Sequence, residues 1–234
     1  MRPLLAAGLL WGGVSFLSFL AAQNTDPNLT REVAAVRADL ARSHDELLNY
    51  VWTEQTEVLV GGKVKSSSAA RCGYDSADHS KVVREPMGEA PEKPGSRQTS
   101  NRPVVRSKGE MQDYIERAVS RIREYVPPKP EVIDYVIHSG KAMLVPPTGA
   151  TAEVRMTHYF QKTDSVVFTY DYASKRLLRV AVWSDLGPKD PITLEAAFDL
   201  LPGNVNHLST ATLKARSKSV QVNVKNVEYR KIAN

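Results

Sequence analysis

One cysteine, Cys72, stands in a chain of 234 residues. That scarcity excludes an intramolecular disulfide, a CxxC redox pair and a Cys-rich zinc site, all of which need a second thiol. Gly-rich phosphate loops, HExxH and GxSxG are missing as well, and with them the common signatures of nucleotide binding, zinc proteolysis and serine hydrolysis. Gly and Pro number 13 and 14. With 24% charged and 42% hydrophobic residues, the composition is neither that of a disordered chain nor that of a fibre. A core of ordinary proportions forms at this length without staples, and one domain is the simplest division.

Only one long uncharged run is present, Leu4 to Leu20, preceded by Arg2 and followed by Ala21-Ala22 and the polar Gln23-Asn24-Thr25-Asp26. This reads as a secretory signal peptide over residues 1–22, cleaved near Ala22, with export to the periplasm or exterior. At about 17 residues the run is at the lower edge of what spans a bilayer, so a retained anchor is the alternative. No cysteine follows it that could carry a lipid. An exported chain rarely meets nucleic acid, so the formal charge of +5 calls for another reading. From Val205 onward six cations, Lys214, Arg216, Lys218, Lys225, Arg230 and Lys231, face the single anion Glu228. Strand edges carry lysine to block aggregation. The same six, gathered in one patch by antiparallel pairing, would attract an anionic membrane surface or an envelope protein.

Residues 23–234 read as one α+β domain. Asp26-Pro27 starts a helix, with Asp as the cap and Pro in the first turn, running to about Asn49 with Val33, Val36, Leu40 and Leu47 near one face. Tyr50 to Val60 then has strand character, Gly61-Gly62 turns it, and Lys63 to about Ser67 returns beside it. A weaker hairpin spans Tyr74 to Arg84. Residues 85–108, with Pro86, Pro91, Pro94 and Pro103, read as a mobile Pro-rich insertion. Ser107-Lys108-Gly109-Glu110 is a capping box. The helix after it carries Met111, Ile115, Ala118, Val119, Ile122 and Val126 at helical spacing, and a shorter helix from Pro130 to Ser139 presents Val132, Ile133 and Val136.

From Lys141 the pattern is a β-meander, with strands expected at 142–145, 152–161, 165–172, 176–184, 192–200, 208–215 and 220–231. Together these signals predict a strongly curved antiparallel sheet, a half-barrel covered by helices, with the N-terminal helix leading into the first strand.

The order of elements, the passage Leu47-Leu48-Asn49-Tyr50-Val51-Trp52 and the closing Val220-Gln221-Val222-Asn223-Val224 resemble the periplasmic lipoprotein carriers of the LolA type. That resemblance implies an unclosed β-barrel with helices as a lid over an apolar cavity. The Pro-rich insertion departs from the pattern.

The histidines, His44, His79, His138, His158 and His207, show no ligand spacing, so no metal site is expected. Cys72 beside Arg71 has no oxyanion site in view and no catalytic residue is assigned. No cofactor is called for. Strand alternation groups Met156, His158 and Phe160; Val166, Phe168, Tyr170 and Tyr172; Leu177, Ala181 and Trp183; and Ile192 with Leu194, Ala196, Phe198 and Leu200. Such sets fill a core or line a cavity, and alternation does not distinguish the two. The cavity reading takes Trp52 and Val58 from the first strand, Met111, Ile115 and Ile122 from the long middle helix, and Val132 and Val136 from the short one. Phe168, Tyr170, Trp183 and Phe198 come from the meander. It makes the chain a monomeric, non-enzymatic binding protein for a lipid, acyl chain or other apolar small molecule. The alternative is an envelope scaffold or interaction module with a packed core; a hydrolase is the remotest reading.

Overall fold

The computed structural model describes residues 26–87, 104–187 and 189–232. The signal-peptide reading therefore lies outside the described residues, as does most of the Pro-rich insertion. Helix α1 (Pro27–Leu47) is capped by Asp26, whose side chain accepts from the Asn28 amide at 2.9 Å. It turns directly into β1 (Tyr50–Val60), and β2 (Lys63–Tyr74) and β3 (Val82–Met87) follow as a meander. Then come α2 (Val104–Tyr125), α3 (Pro130–His138) and seven strands: β4 (Ala142–Thr148), β5 (Thr151–Thr157), β6 (Ser165–Asp171), β7 (Leu177–Asp185), β8 (Pro191–Leu201), β9 (Val205–Ala215) and β10 (Val220–Lys231).

All ten strands form one antiparallel sheet in the order β3-β2-β1-β10-β9-β8-β7-β6-β5-β4, with β3 and β4 as its edges, so the sheet is not closed into a barrel. Its inner face is the apolar one. Val58, Val222, Leu213, Leu194, Val182 and Val166 follow one another across strands, and all belong to one buried cluster with α1, α2 and α3. Residues from strands as far apart as β1 and β5 thus pack around the same helices, as a curled sheet allows and a flat one does not. The helices are amphipathic because they serve this face. On α2 the fully buried row is Tyr114, Ala118, Ile122 and Tyr125.

Several sequence boundaries move, each for a local reason. β2 continues to Tyr74 instead of stopping near Ser67, because a bulge opposite Val58 and Leu59 lets the pairing run on. α2 is already helical at Val104, so Ser107–Glu110 lies inside it and does not cap it; Gly109 is taken up within the helix. The stretch read as an insertion is shorter at both ends: Glu85–Met87 belong to edge strand β3, where Pro86 is tolerated, and Val104–Lys108 belong to α2.

β5 ends at Thr157 because His158 takes φ 55°, so His158 and Phe160 do not continue the face of Met156. In β7 the extra residue Leu178, a bulge opposite Thr169 and Tyr170, reverses the phase. Leu177, Val180, Val182 and Ser184 point inward, and Trp183 points out, 48% exposed.

Candidate functional site

The site is built where α2 and the sheet part company. α2 rests on β9 and β10, and beyond them β1, β2 and β3 extend as a wing. Between this wing and the flank of α2 lies a cleft of about 430 Å³. Its apolar wall is Val58 and Ala70 from the sheet with Ile115 and Val119 from the helix. The register explains the sheet side: Glu54, Thr56 and Val58 pair with Ala70, Ser68 and Ser66, so every second residue of both strands faces the helix. Thr56, Ser68 and Ser120 add hydroxyls along its length, and Gln112 and Glu116 of α2, hydrogen-bonded to each other at 3.1 Å, add an amide and a carboxylate.

One end of the cleft is ionic. Glu54, almost wholly buried, accepts from Arg84 Nε of β3 at 3.0 and 3.1 Å and from Arg123 Nη2 of α2 at 3.2 Å. Arg84 also donates to the Val82 carbonyl at 3.3 Å. Two guanidiniums thus share one carboxylate and keep unused N–H donors beside the cleft. The arrangement is mixed: two arginines around Glu54 at one end, and along the rest four aliphatic side chains interleaved with hydroxyls, Gln112 and the carboxylate of Glu116.

Of the residues taken for a cavity, Val58 and Ile115 line this cleft. Ile122, Val136, Phe168 and Tyr170 are buried in the core beneath the helices, and Met111, Val132 and Phe198 are packed against it. Trp52 is buried at the α1 end of the wing, stacked on Tyr229 at 5.5 Å and tilted against Tyr74 at 5.7 Å. Trp183 is on the outer face. Space therefore opens at the flank of α2, while the interior under the helices is filled.

The polar half of the site was not legible. Glu54, Arg84 and Arg123 come from three elements, and no spacing signal links them.

The core holds its own polar groups. Asp164 accepts from Tyr125 Oη at 2.7 Å, Ser184 Oγ at 2.7 Å and the Phe160 and Gln161 amides at 2.9 and 2.7 Å. Glu32 of α1 accepts from Tyr170 Oη at 3.0 Å and Lys175 Nζ at 2.6 Å. Both carboxylates are satisfied by partners that also fix a helix to the sheet. Cys72 is 1% exposed, and burial, with Glu54 adding to it, pushes its thiol up to about 11. That is the reverse of the activation Arg71 would have provided. Among the described residues no three His, Cys, Asp or Glu side chains gather as a metal-binding group.

The six C-terminal cations do not form one patch. β9 ends at Ala215 and Arg216–Lys218 form a single 3-10 turn, so the alternation with Lys214 breaks there. Arg230 and Lys231 pair with Val51 and Tyr50 at the opposite end of β10, about 35 Å from Val220 at roughly 3.3 Å per residue. Lys231 lies 3.8 Å from Glu46. Lys225 sits between the two groups, paired with Thr210.

No protein-family model matches the chain, and no curated protein matches it by sequence. Among solved structures it is similar to a DUF1329 family protein from Desulfovibrio piger, at 9% identity and TM-score 0.43, over 87% of this chain and 92% of that one. It is also similar to a LolA superfamily protein from Nitrosomonas europaea, at 6% identity and TM-score 0.40, over 85% of this chain and 94% of that one. At these values the likenesses carry no weight for function, which rests on the geometry above.

Proposed function

We propose that this chain is an exported, non-enzymatic binding protein that takes an acyl chain or similar amphipathic molecule into the cleft between α2 and the β1–β3 wing. The cleft carries the reading. Its volume of about 430 Å³ falls within the roughly 300–1,000 Å³ of small-molecule pockets. The tail of the ligand runs along Val58, Ala70, Ile115 and Val119, and its polar end meets Arg84 and Arg123. Each buried methylene contributes about 0.8 kcal/mol, from which the ordering of a flexible chain is subtracted. Export rests on the Leu4–Leu20 run. No helix among the described residues is long and apolar enough to cross a membrane.

Native mass spectrometry with lipid extraction tests this on protein purified from a membrane-containing host. A co-purifying acyl lipid, displaced by a fluorescent fatty acid, is the expected result. Ligand-free protein that gives no saturable probe binding refutes it.

The scaffold reading draws on a different observation, the filled interior, where Ala118, Val136, Val166 and Leu213 have no exposed surface. A scaffold needs no occupant in the cleft, so the same experiment separates the two.

A further inference from the structure

We propose that the end of the sheet formed by the β1–β2 turn and the β9–β10 connection docks on an anionic lipid bilayer. These two tips are one structural unit: Gly61 donates its amide to the Ser219 carbonyl at 2.9 Å. Five exposed cations surround them, Lys63 and Lys65 on β2, Lys214 on β9, and Arg216 and Lys218 in the 3-10 turn. Among the described residues none of the five is in an ion pair, although ten pairs form elsewhere. Asp190, near this end, accepts from the hydroxyls of Tyr114, at 3.0 Å, and Ser217, and its charge offsets only part of that of the five cations. The net positive charge left on these neighbouring side chains favours an anionic surface.

A second observation decides between a bilayer and a soluble polyanion. Leu59 and Val64 are paired across β1 and β2, and Val64 is 54% exposed between Lys63 and Lys65. Leu59 also lines a shallow depression of about 270 Å³ with Lys214, Arg216, Ser219 and Gln221. Lysines around an exposed Val64 and a half-buried Leu59 match an interface that offers charge at the headgroups and apolar depth beneath them. A polyanion in water offers the first alone. Docking does not need an occupied cleft. Its orientation draws on the reading above: Val58 and Gln112, which line the cleft, lie on the side of this tip, so docking turns the cleft towards the bilayer.

Co-sedimentation of the full chain with vesicles of phosphatidylglycerol and phosphatidylcholine, against phosphatidylcholine alone, tests the docking at low and high salt. Binding confined to the anionic vesicles and lost in high salt is expected. Lys63→Gln/Lys65→Gln/Lys214→Gln lowers partitioning about 100-fold, whereas Arg31→Gln/Lys225→Gln/Arg230→Gln, which removes equal charge elsewhere, lowers it far less. Val64→Ser, which leaves the charge unchanged, also weakens it. Equal losses in the two triple variants, an unaffected Val64→Ser, or binding to heparin with none to vesicles overturns the proposal. Both triple variants are checked by thermal melting; their sites are exposed and their folding should be unchanged. Fatty-acid binding in solution, intact in the tip variant, keeps a failure of docking distinct from a failure of the cleft.

Discussion

Arg123, in the last turn of α2, donates to Glu54 of β1 at 3.2 Å, and this pair joins the helix to the sheet wing across the ionic end of the cleft. Glu54 also holds Arg84 of β3, so one carboxylate fixes three elements around the site. Losing either side of the pair has unequal consequences. Arg123→Ala gives up a half-exposed partner and costs less than about 1 kcal/mol. Glu54→Ala strands two guanidiniums and costs about 2 kcal/mol, below the full figure for a buried pair because Arg123 is half-exposed. Urea unfolding measures both; equal losses would contradict the role given to Glu54.

Glu32 should contribute to the acid sensitivity of the fold. Burial opposes its ionisation, but Lys175 and Tyr170, with Arg31 adding to them, outweigh burial and hold its carboxyl below the ordinary value. A depressed folded pKa means that the stabilisation is complete above the unfolded value and lost as pH falls through the folded one. Glu32→Gln should therefore lower stability at neutral pH and flatten the decline below about pH 4.5. An unchanged acid limb in urea titrations would contradict this.

Cys72 should be inert in the folded chain. Being 1% exposed and with its thiol pushed up to about 11, it presents almost no thiolate at pH 8. Iodoacetamide should label native protein at least about 100-fold more slowly than urea-unfolded protein. Equal rates would show that the β1–β2–β3 wing opens readily.

Ala118 tests the packing beneath α2. It has no exposed surface and faces the core, so Ala118→Leu should cost about 1–3 kcal/mol by overpacking. Val119, one residue on, borders the cleft and should tolerate a larger side chain. A neutral Ala118→Leu in thermal melting would reveal free space where the core is filled.

The architecture was readable because strand alternation and turn chemistry are local. Val220, Val222 and Val224 alternate with Gln221 and Asn223 in the sequence and face the core in the fold, and Gly61-Gly62 turns the chain where expected, with φ of 58° and 76°. What failed were the places where one residue resets the phase. Leu178 bulges and turns Trp183 outward, and His158, in the left-handed region, ends β5. Neither carries a Gly or Pro signal. The site itself was half-legible: Val58 and Ile115 lie on periodic stripes, but Glu54, Arg84 and Arg123 are 30 and 69 residues apart along the chain and meet only through topology.

The most direct test of the cleft is a binding isotherm for a fluorescent fatty acid on the native chain and on Val119→Trp, which fills the space beside Ile115 while keeping the folded core. The account predicts saturable binding by the native chain, at least about tenfold weaker in Val119→Trp, a loss of about 1.4 kcal/mol, with melting temperature nearly unchanged. Trp183→Ala, on the outer face, should bind like the native chain. Equal affinity in Val119→Trp and the native chain, or no saturable binding by either, would contradict it.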